Sequence, residues 1–343
     1  MADEIPVSVI RGGTSRGVFL RLSDLPRDGD ARDALCVGLT GAPDPLAVDG
    51  LGGGASSNSK VMAVGVPSDL AGLPWEGACP RDVDLVTVFA QPAITSTTVD
   101  WTGNCGNLSA AVGVFALDEG LVEGCGEHAT LRVWNANTGA NFVVEHASEG
   151  GKVPRVDLSF LAPGGETTGA VFPSGAVTTL AGGVEATVVD VTNPLVIVDA
   201  RRVGVDVGLT RDELNADAGL LERIELLRRD AARRIGMPDS AVVPKVACVA
   251  PGTDGADVDV RVTSLGVFHH AVPVTVALAL GSAAVLTGTV MDAVLPGPPE
   301  RETTLRHPKG TVTVLAETSG GELLSAGVAR TARVVMKGTA YLP

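Results

Sequence analysis

Two short segments hold the side chains best suited to chemistry. The first is Asp100-Trp101-Thr102-Gly103-Asn104-Cys105-Gly106-Asn107-Leu108. An extended run ends there, two glycines permit left-handed or extended backbone, and an apolar helix begins. Free amide N–H groups at such a helix start, with the dipole behind them, form an anion site. A cysteine placed there has its thiolate favoured and is a candidate acid, base or nucleophile. The plainer alternative is a small buried hydrophobe beside a tight turn; flexible residues on both sides favour the chemical reading. The second segment is Gly52-Gly53-Gly54-Ala55-Ser56-Ser57-Asn58-Ser59-Lys60-Val61, in a chain with five lysines against 21 arginines. Lysine, unlike arginine, can be neutral when its pKa is lowered and so act as a base. A carboxylate anchor or a solvated loop lysine fits this segment equally well.

Other chemistries fail on spacing. Neither the Lys60 loop nor Arg11-Gly12-Gly13-Thr14-Ser15-Arg16-Gly17 has the Gly-Lys-Ser/Thr ending of a nucleotide-binding loop. GxGxxG after a strand and HExxH are both absent. The five cysteines form no CxxC pair, which argues against a disulfide framework or a structural zinc site. Cys36, Cys79 and Cys248 read as structural, and Cys125 has only His128 nearby, so no metal is expected. Three smaller signals lie in the second half. Thr192-Asn193-Pro194 separates two Val-rich runs, Gly266-Val267-Phe268-His269-His270 leads into an apolar stretch, and His307-Pro308-Lys309-Gly310 is a turn by composition.

The elements that must carry these segments can be read from periodicity. Strands are expected at Val7–Ile10, Val18–Arg21, Val61–Val66, Leu85–Ala90, Leu131–Asn135, Asn141–Glu145 and Val156–Phe160. In the second half they are expected at Ala186–Val191, Val196–Val198, Val246–Ala250, Val258–Val262, Thr311–Ala316 and Ala332–Met336. Leu108–Leu117 and His270–Ala284 are apolar nearly all round and should be central helices, the second starting at the His269–His270 pair. Ala31–Leu39 reads as a short helix. Arg211–Gly236 is amphipathic, with a Thr210/Glu213 capping box, and should be a surface helix or helical hairpin. Gly103 and Gly266 lie 163 residues apart, near half the chain, and suggest two similar lobes, 1–182 and 183–343, each a curved sheet around one buried helix.

With 343 residues, 45% hydrophobic and 19% charged, the chain can bury a large core, and its length suits two domains. A net charge of −14 argues against nucleic-acid or anionic-membrane partners. Ala271–Met291 carries no charge but contains Pro273, Gly281 and Gly288, and reads as a buried helix followed by a strand rather than a membrane span. The first residues lack the basic and apolar regions of a secretory signal, so a cytoplasmic location is expected.

Seven motifs in order carry a resemblance: residues 11–17, 52–60, 103–107, 192–194, 266–271, 307–310 and Arg-Thr-Ala-Arg-x-x-Met-x-Gly-x-x-Tyr at 330–341. Together they resemble the PrpF family of 2-methylaconitate isomerases, which includes 4-oxalomesaconate isomerases and tautomerases. The resemblance implies an α+β fold like that of diaminopimelate epimerase: two pseudo-symmetric lobes, each a mixed sheet or half-barrel around a central helix, with the active site between. It implies a cofactor-independent isomerase with Lys60 and Cys105 as acid/base groups. Position 16 is Arg where Lys is common, which keeps an anion clamp; position 309 is Lys where a small residue is usual.

On this reading the reaction is a 1,3-allylic proton shift in an unsaturated di- or tricarboxylate, such as a methylaconitate or oxalomesaconate. Ser56, Ser57, Asn58, Asn104, Gly106, Asn107, Asn193 and His269, with His307 and Lys309, would hold carboxylates, and Arg16 would supply charge. A keto–enol tautomerase and a non-catalytic carboxylate-binding homologue are the alternatives. The expected partner is a small polycarboxylate; homo-oligomerisation stays open.

Overall fold

The computed structural model describes residues 4–122, 128–147, 155–238 and 243–342, so Cys125 lies outside the described residues. The chain folds as two compact units, Met1–Phe160 with Arg330–Pro343, and Leu161–Ala329. Compared with a division at 182/183, residues 161–182 belong to the second unit and the last segment returns to the first. The first contains β1 (Glu4–Gly12), β2 (Ser15–Arg21), α1 (Gly29–Thr40), β3 (Val61–Gly65), β4 (Leu85–Pro92), β5 (Val99–Asp100), α2 (Gly106–Ser109), α3 (Val112–Asp118), β6 (His128–Asn135), β7 (Asn141–Ala147) and β8 (Arg155–Leu161). The second contains β9 (Thr178–Leu180), β10 (Val184–Val191), β11 (Asn193–Asp199), α4 (Ala200–Val203), α5 (Arg211–Ala216), α6 (Ala218–Arg234), β12 (Lys245–Pro251), β13 (Val258–Ser264), β14 (Val267–Phe268), α7 (Val274–Val285), β15 (Glu302–His307) and β16 (Gly310–Ser319). A long strand, β17 (Glu322–Tyr341), pairs through residues 322–328 with β16 and through 332–341 with β1.

In the first unit the sheet runs β17–β1–β2–β3–β4–β6–β7–β8, with β2–β3 and β4–β6 parallel and the other pairs antiparallel. It curls around α3. Gly113 faces Val144 of β7 and Leu131 of β6, whereas Phe115 meets Phe19 of β2 with ring centroids 5.7 Å apart. Residues two apart point to nearly opposite sides of a helix, so strands flank it on both sides. The same segment is not one helix over 108–117. Ala111 N–H donates to Leu108 O (2.8 Å), a tight three-residue turn that separates α2 from α3. Ala110, Ala111, Val112 and Ala116 are nonetheless wholly buried, as its composition requires.

The second unit repeats this connectivity. β10–β11 is antiparallel, β11–β12 parallel, β12–β13 antiparallel, β13–β15 parallel and β15–β16 antiparallel. Its buried helix, α7, packs on β10, β11, β15 and β16. The helix begins at Val274 after Pro273, because proline is tolerated at a helix start but not inside it. His269 and His270 therefore precede the helix by several residues instead of opening it. After α7 the chain forms a 3-10 turn at Val290–Ala293, not the expected strand. No helix among the described residues is long and apolar enough to cross a membrane.

The amphipathic segment forms two helices. Thr210 Oγ1 accepts from Glu213 N–H while the Glu213 carboxylate accepts from Thr210 N–H, and Asp217 caps α6. Leu220, Ile224, Leu227 and Ala231 of α6 join Val188, Val196 and Val246 in one apolar cluster.

Candidate active site

The site in the first unit is assembled on the β1–β2 hairpin. Gly12 pairs with Ser15, leaving Gly13 and Thr14 as a two-residue turn with Gly13 at φ 49°, a conformation glycine supplies at least cost. Both chemical segments close on this hairpin. From one side, Arg16 N–H donates to Ser57 O (2.9 Å) and Val18 N–H to Lys60 O (2.9 Å). Arg16 also donates a guanidinium N–H to Gly52 O (3.0 Å), so this arginine holds the glycine loop through its backbone. Gly52 is needed there, since a Cβ would lie 2.3 Å from Thr40 O at the end of α1.

From the other side comes the Cys105 loop. A Cβ on Gly12 would lie 2.1 Å from Asn107 O, and one on Gly17 would lie 2.6 Å from Leu108 Cδ1 and 3.2 Å from Lys60 O. Asn107 donates from Nδ2 to Thr14 Oγ1 (3.0 Å) and Ser15 Oγ (3.4 Å), and Cys105 Sγ is 3.9 Å from Ser15 Oγ. Ser15 and Gly17, two residues apart on β2, thus carry Cys105 and Lys60 respectively. That separation is about 7 Å along a strand.

Groups distant in sequence position both candidate segments. Lys60 Nζ donates to Gln91 Oε1 (2.5 Å) and lies 5.2 Å from the Phe89 ring centre. Gln91 in turn donates from Nε2 to Ser59 O (2.5 Å), which fixes its carbonyl toward the amine. The strand leading to Cys105 is pinned by Asn137, whose Nδ2 donates to Trp101 O (2.6 Å) and Phe89 O (2.9 Å). Asn104 Oδ1 accepts from Cys105 N–H (2.7 Å) and from Ser109 Oγ (3.2 Å), so its carbonyl is spent on local structure. The amides of Gly106, Asn107 and Leu108 occupy the first helical turn, where no intrahelical acceptor exists. With α2 only four residues long, the dipole expected behind Cys105 is slight, and any anion would be held by the N–H groups themselves.

Gly103 and Gly106 are not left-handed. A Cβ on either would meet nothing within 4 Å, so these glycines leave open space beside the thiol. Ser56 is exposed, and Ser57 and Asn58 are partly so, with the Asn58 side chain against Gly53. Arg330, outside the expected site residues though within a quoted motif, lays its Cδ 3.2 Å from the Cβ position of Gly13. Burial pulls its guanidinium below the ordinary value. The other described cysteines are poor reagents: burial pushes Cys36, Cys79 and Cys248 up, Cys248 to about 12.

Asn193, His269, His307 and Lys309 belong to the second unit. Asn193 opens β11 after Thr192, a left-handed residue at φ 61°. His269 Nδ1 lies 2.8 Å from Ala271 O and 3.2 Å from Ala271 N, and its ring stacks on His270 at 4.3 Å. His307 and Lys309 flank the β15–β16 turn and line a cavity of about 450 Å³ with His270, Arg211, Arg261 and Arg306. His269 is absent from that lining. The three arginines were invisible as a group in sequence, since only the β13–β15 pairing and the 208–212 loop bring them together. Among the described residues no cluster of three or more His, Cys, Asp or Glu could hold a metal ion.

Residues 2–343 match the PrpF protein family. The chain belongs to that family. It is 35% identical to the 2-methyl-aconitate isomerase of Cupriavidus necator, over 99% of this chain and 97% of that one. It is 33% identical to the 3-methylitaconate isomerase of Eubacterium barkeri, over 100% and 98%. The crystal structure of methylitaconate-delta-isomerase superimposes with a TM-score of 0.87 at 31% identity, over 99% of this chain and 95% of that one. This PrpF-family chain is an isomerase with the diaminopimelate-epimerase-like α+β fold expected from its motifs.

Proposed function

We propose that this PrpF-family isomerase shifts a C=C bond in an unsaturated di- or tricarboxylate by 1,3-allylic proton transfer, with Lys60 and Cys105 as the acid/base pair. The observation that carries the reading is the shared hairpin: Ser15 meets the Cys105 thiol while the next residues of β2 bind the Lys60 loop. One group removes a proton from the carbon next to a C=C–COO⁻ unit, and the negative charge spreads into the carboxylate as a dienolate. Reprotonation at the far carbon moves the double bond. The difficult step is stabilising that charge. First-turn amides of Gly106 and Asn107 supply fixed donors, and Arg330 beside Gly13 and Arg16 at the glycine loop supply positive potential, without reorganisation during reaction.

Ser56, Ser57, Asn58 and Asn104 are proposed carboxylate contacts in the first unit, Asn193, His269, His307 and Lys309 in the second. Open space beside Gly103 and Gly106 accommodates the substrate backbone. The substrate class follows the relatives, whose names specify methylaconitate and methylitaconate. The test is proton exchange. Incubation with methylaconitate, aconitate, itaconate and oxalomesaconate-type acids in D₂O should place deuterium at allylic and vinylic carbons of at least one acid. Lys60→Ala and Cys105→Ala should each abolish it. Exchange that survives the double variant removes the assignment, and exchange only next to a ketone would make the enzyme a tautomerase.

A further inference from the structure

The cavity beside the β15–β16 turn lies wholly within the second unit, and its lining is unusual for a chain with net charge −14. Arg211, Arg261, Arg306 and Lys309 project into one space with His270 and His307. We propose that this cavity is an anion subsite that takes a carboxylate of a small polycarboxylate, with Arg261 and Lys309 as the cations that form no ion pair among the described residues. The identity of the ligand rests on the isomerase reading above; the sign of its charge rests on the cavity alone.

The charges around the cavity separate into paired and unpaired ones. Arg306 is spent: it forms two 2.6 Å hydrogen bonds to Asp259, which is fully buried, and reaches Asp254 at 3.4 Å. Arg211 has exposed Asp212 at 3.5 Å. Arg261 differs. It is only 7% exposed, and its terminal nitrogens donate to Val260 O and Val207 O. Its Nε has no partner among the described residues. Carbonyl oxygens solvate a guanidinium without neutralising it, and no carboxylate among the described residues forms an ion pair with it; Asp259 and Asp206 attract it only at longer range, against burial and the repulsion of Arg306, which together hold it below its ordinary value. A buried cation left in that state is costly, and an incoming carboxylate would relieve it. Lys309 is exposed at the turn tip and likewise makes no ion pair among the described residues.

The histidine in the lining reports the same field. His270 is held below its ordinary pKa by His269 first, then by burial, Lys309 and Arg211. A space of about 450 Å³ suits a di- or tricarboxylate, within the usual range for small-ligand sites.

The experiment titrates the full-length protein with tricarballylate, a saturated tricarboxylate that cannot be isomerised, by calorimetry, and compares Lys309→Ala and Arg261→Gln with the parent. Tricarballylate affinity should fall about tenfold in each, and KM for a tricarboxylic substrate should rise by a similar factor. Lys309→Ala alters an exposed turn and keeps the test sound should Arg261→Gln fail to fold. Competition between tricarballylate and substrate identifies the ligand as the substrate's own carboxylate; non-competitive inhibition that weakens in the variants identifies a separate effector acid at the same subsite. Affinity unchanged within twofold in Lys309→Ala overturns the proposal, whatever the isomerisation assay returns. Weakened binding in a protein whose parent exchanges no proton in any acid leaves the subsite standing and removes the isomerase-substrate reading instead.

Discussion

Substituting Gly12 by alanine tests whether the hairpin positions the thiol. The added Cβ would lie 2.1 Å from Asn107 O, where ordinary contact begins at 3.4 Å. Backbone on both sides cannot swing away as a side chain can, so the Cys105 loop must retreat by about 1 Å. That retreat lengthens the 3.0 and 3.4 Å bonds from Asn107 to Thr14 and Ser15 beyond useful hydrogen-bond range. It also moves Sγ away from Ser15 Oγ. Overpacking of this kind destabilises by about 1–3 kcal/mol, and a displacement near 1 Å at a reacting group lowers the rate by roughly 100-fold. The assay pairs a urea unfolding curve with deuterium incorporation into the best substrate, read as kcat and KM. A Gly106→Ala control has no clash to relieve and should unfold at or slightly above the parental midpoint. Should Gly12→Ala retain parental kcat and midpoint, the close approach does not set the site geometry.

Three further outcomes follow from the same contacts. Gln91→Leu removes both the acceptor of Lys60 Nζ and the donor to Ser59 O while keeping much of its volume, and should lower kcat by about tenfold with a loss of about 1 kcal/mol in stability. Arg306→Met leaves the fully buried Asp259 carboxylate without its guanidinium, and should destabilise the chain by about 3 kcal/mol in urea titration. Glu119 accepts from Lys337 (2.6 Å) and Arg21 (2.9 Å). Burial alone would raise its pKa, but these bonds outweigh burial and hold the carboxyl below its usual range. Its stabilisation is therefore fully present above about pH 4.5, the ordinary value, and is lost as pH falls through the depressed folded value. Glu119→Gln should lower the neutral plateau of a stability–pH curve and flatten its acid limb, and a limb of unchanged steepness would contradict the pairing.

Much of the fold could be read because its signals are local. Apolar runs bounded by glycine, aspartate or proline marked β3, β4, β12 and β13, and the Thr210/Glu213 pair marked the start of α5. The glycine-spaced motifs at 11–17, 52–60 and 103–107 were visible as sequence, and their mutual contacts explain the spacing: Gly12, Gly17 and Gly52 each sit where a Cβ would strike another segment. Other features depend on pairing across long separations. Gln91 and Asn137 look like ordinary polar residues until β4 aligns beside β3 and the Trp101 carbonyl arrives. The break between α2 and α3 left no mark, because Ala110 and Ala111 favour helix as strongly as their neighbours. Pro273 did mark the true start of α7, but the apolar run before it pulled the expected boundary toward the histidines. The basic cavity was hidden for a different reason: its cations are spread over residues 211 to 309, and strand register alone gathers them.

The twenty-residue strand β17 has a consequence for biosynthesis. Its second half supplies the neighbour of β1, so the amino-terminal unit lacks one sheet partner until residues 332–341 leave the ribosome. Domains made early usually fold first; here β1 waits for a strand translated more than 300 residues later. Until then β1 exposes an unpaired edge, the surface a holdase would cover and a second nascent chain would capture.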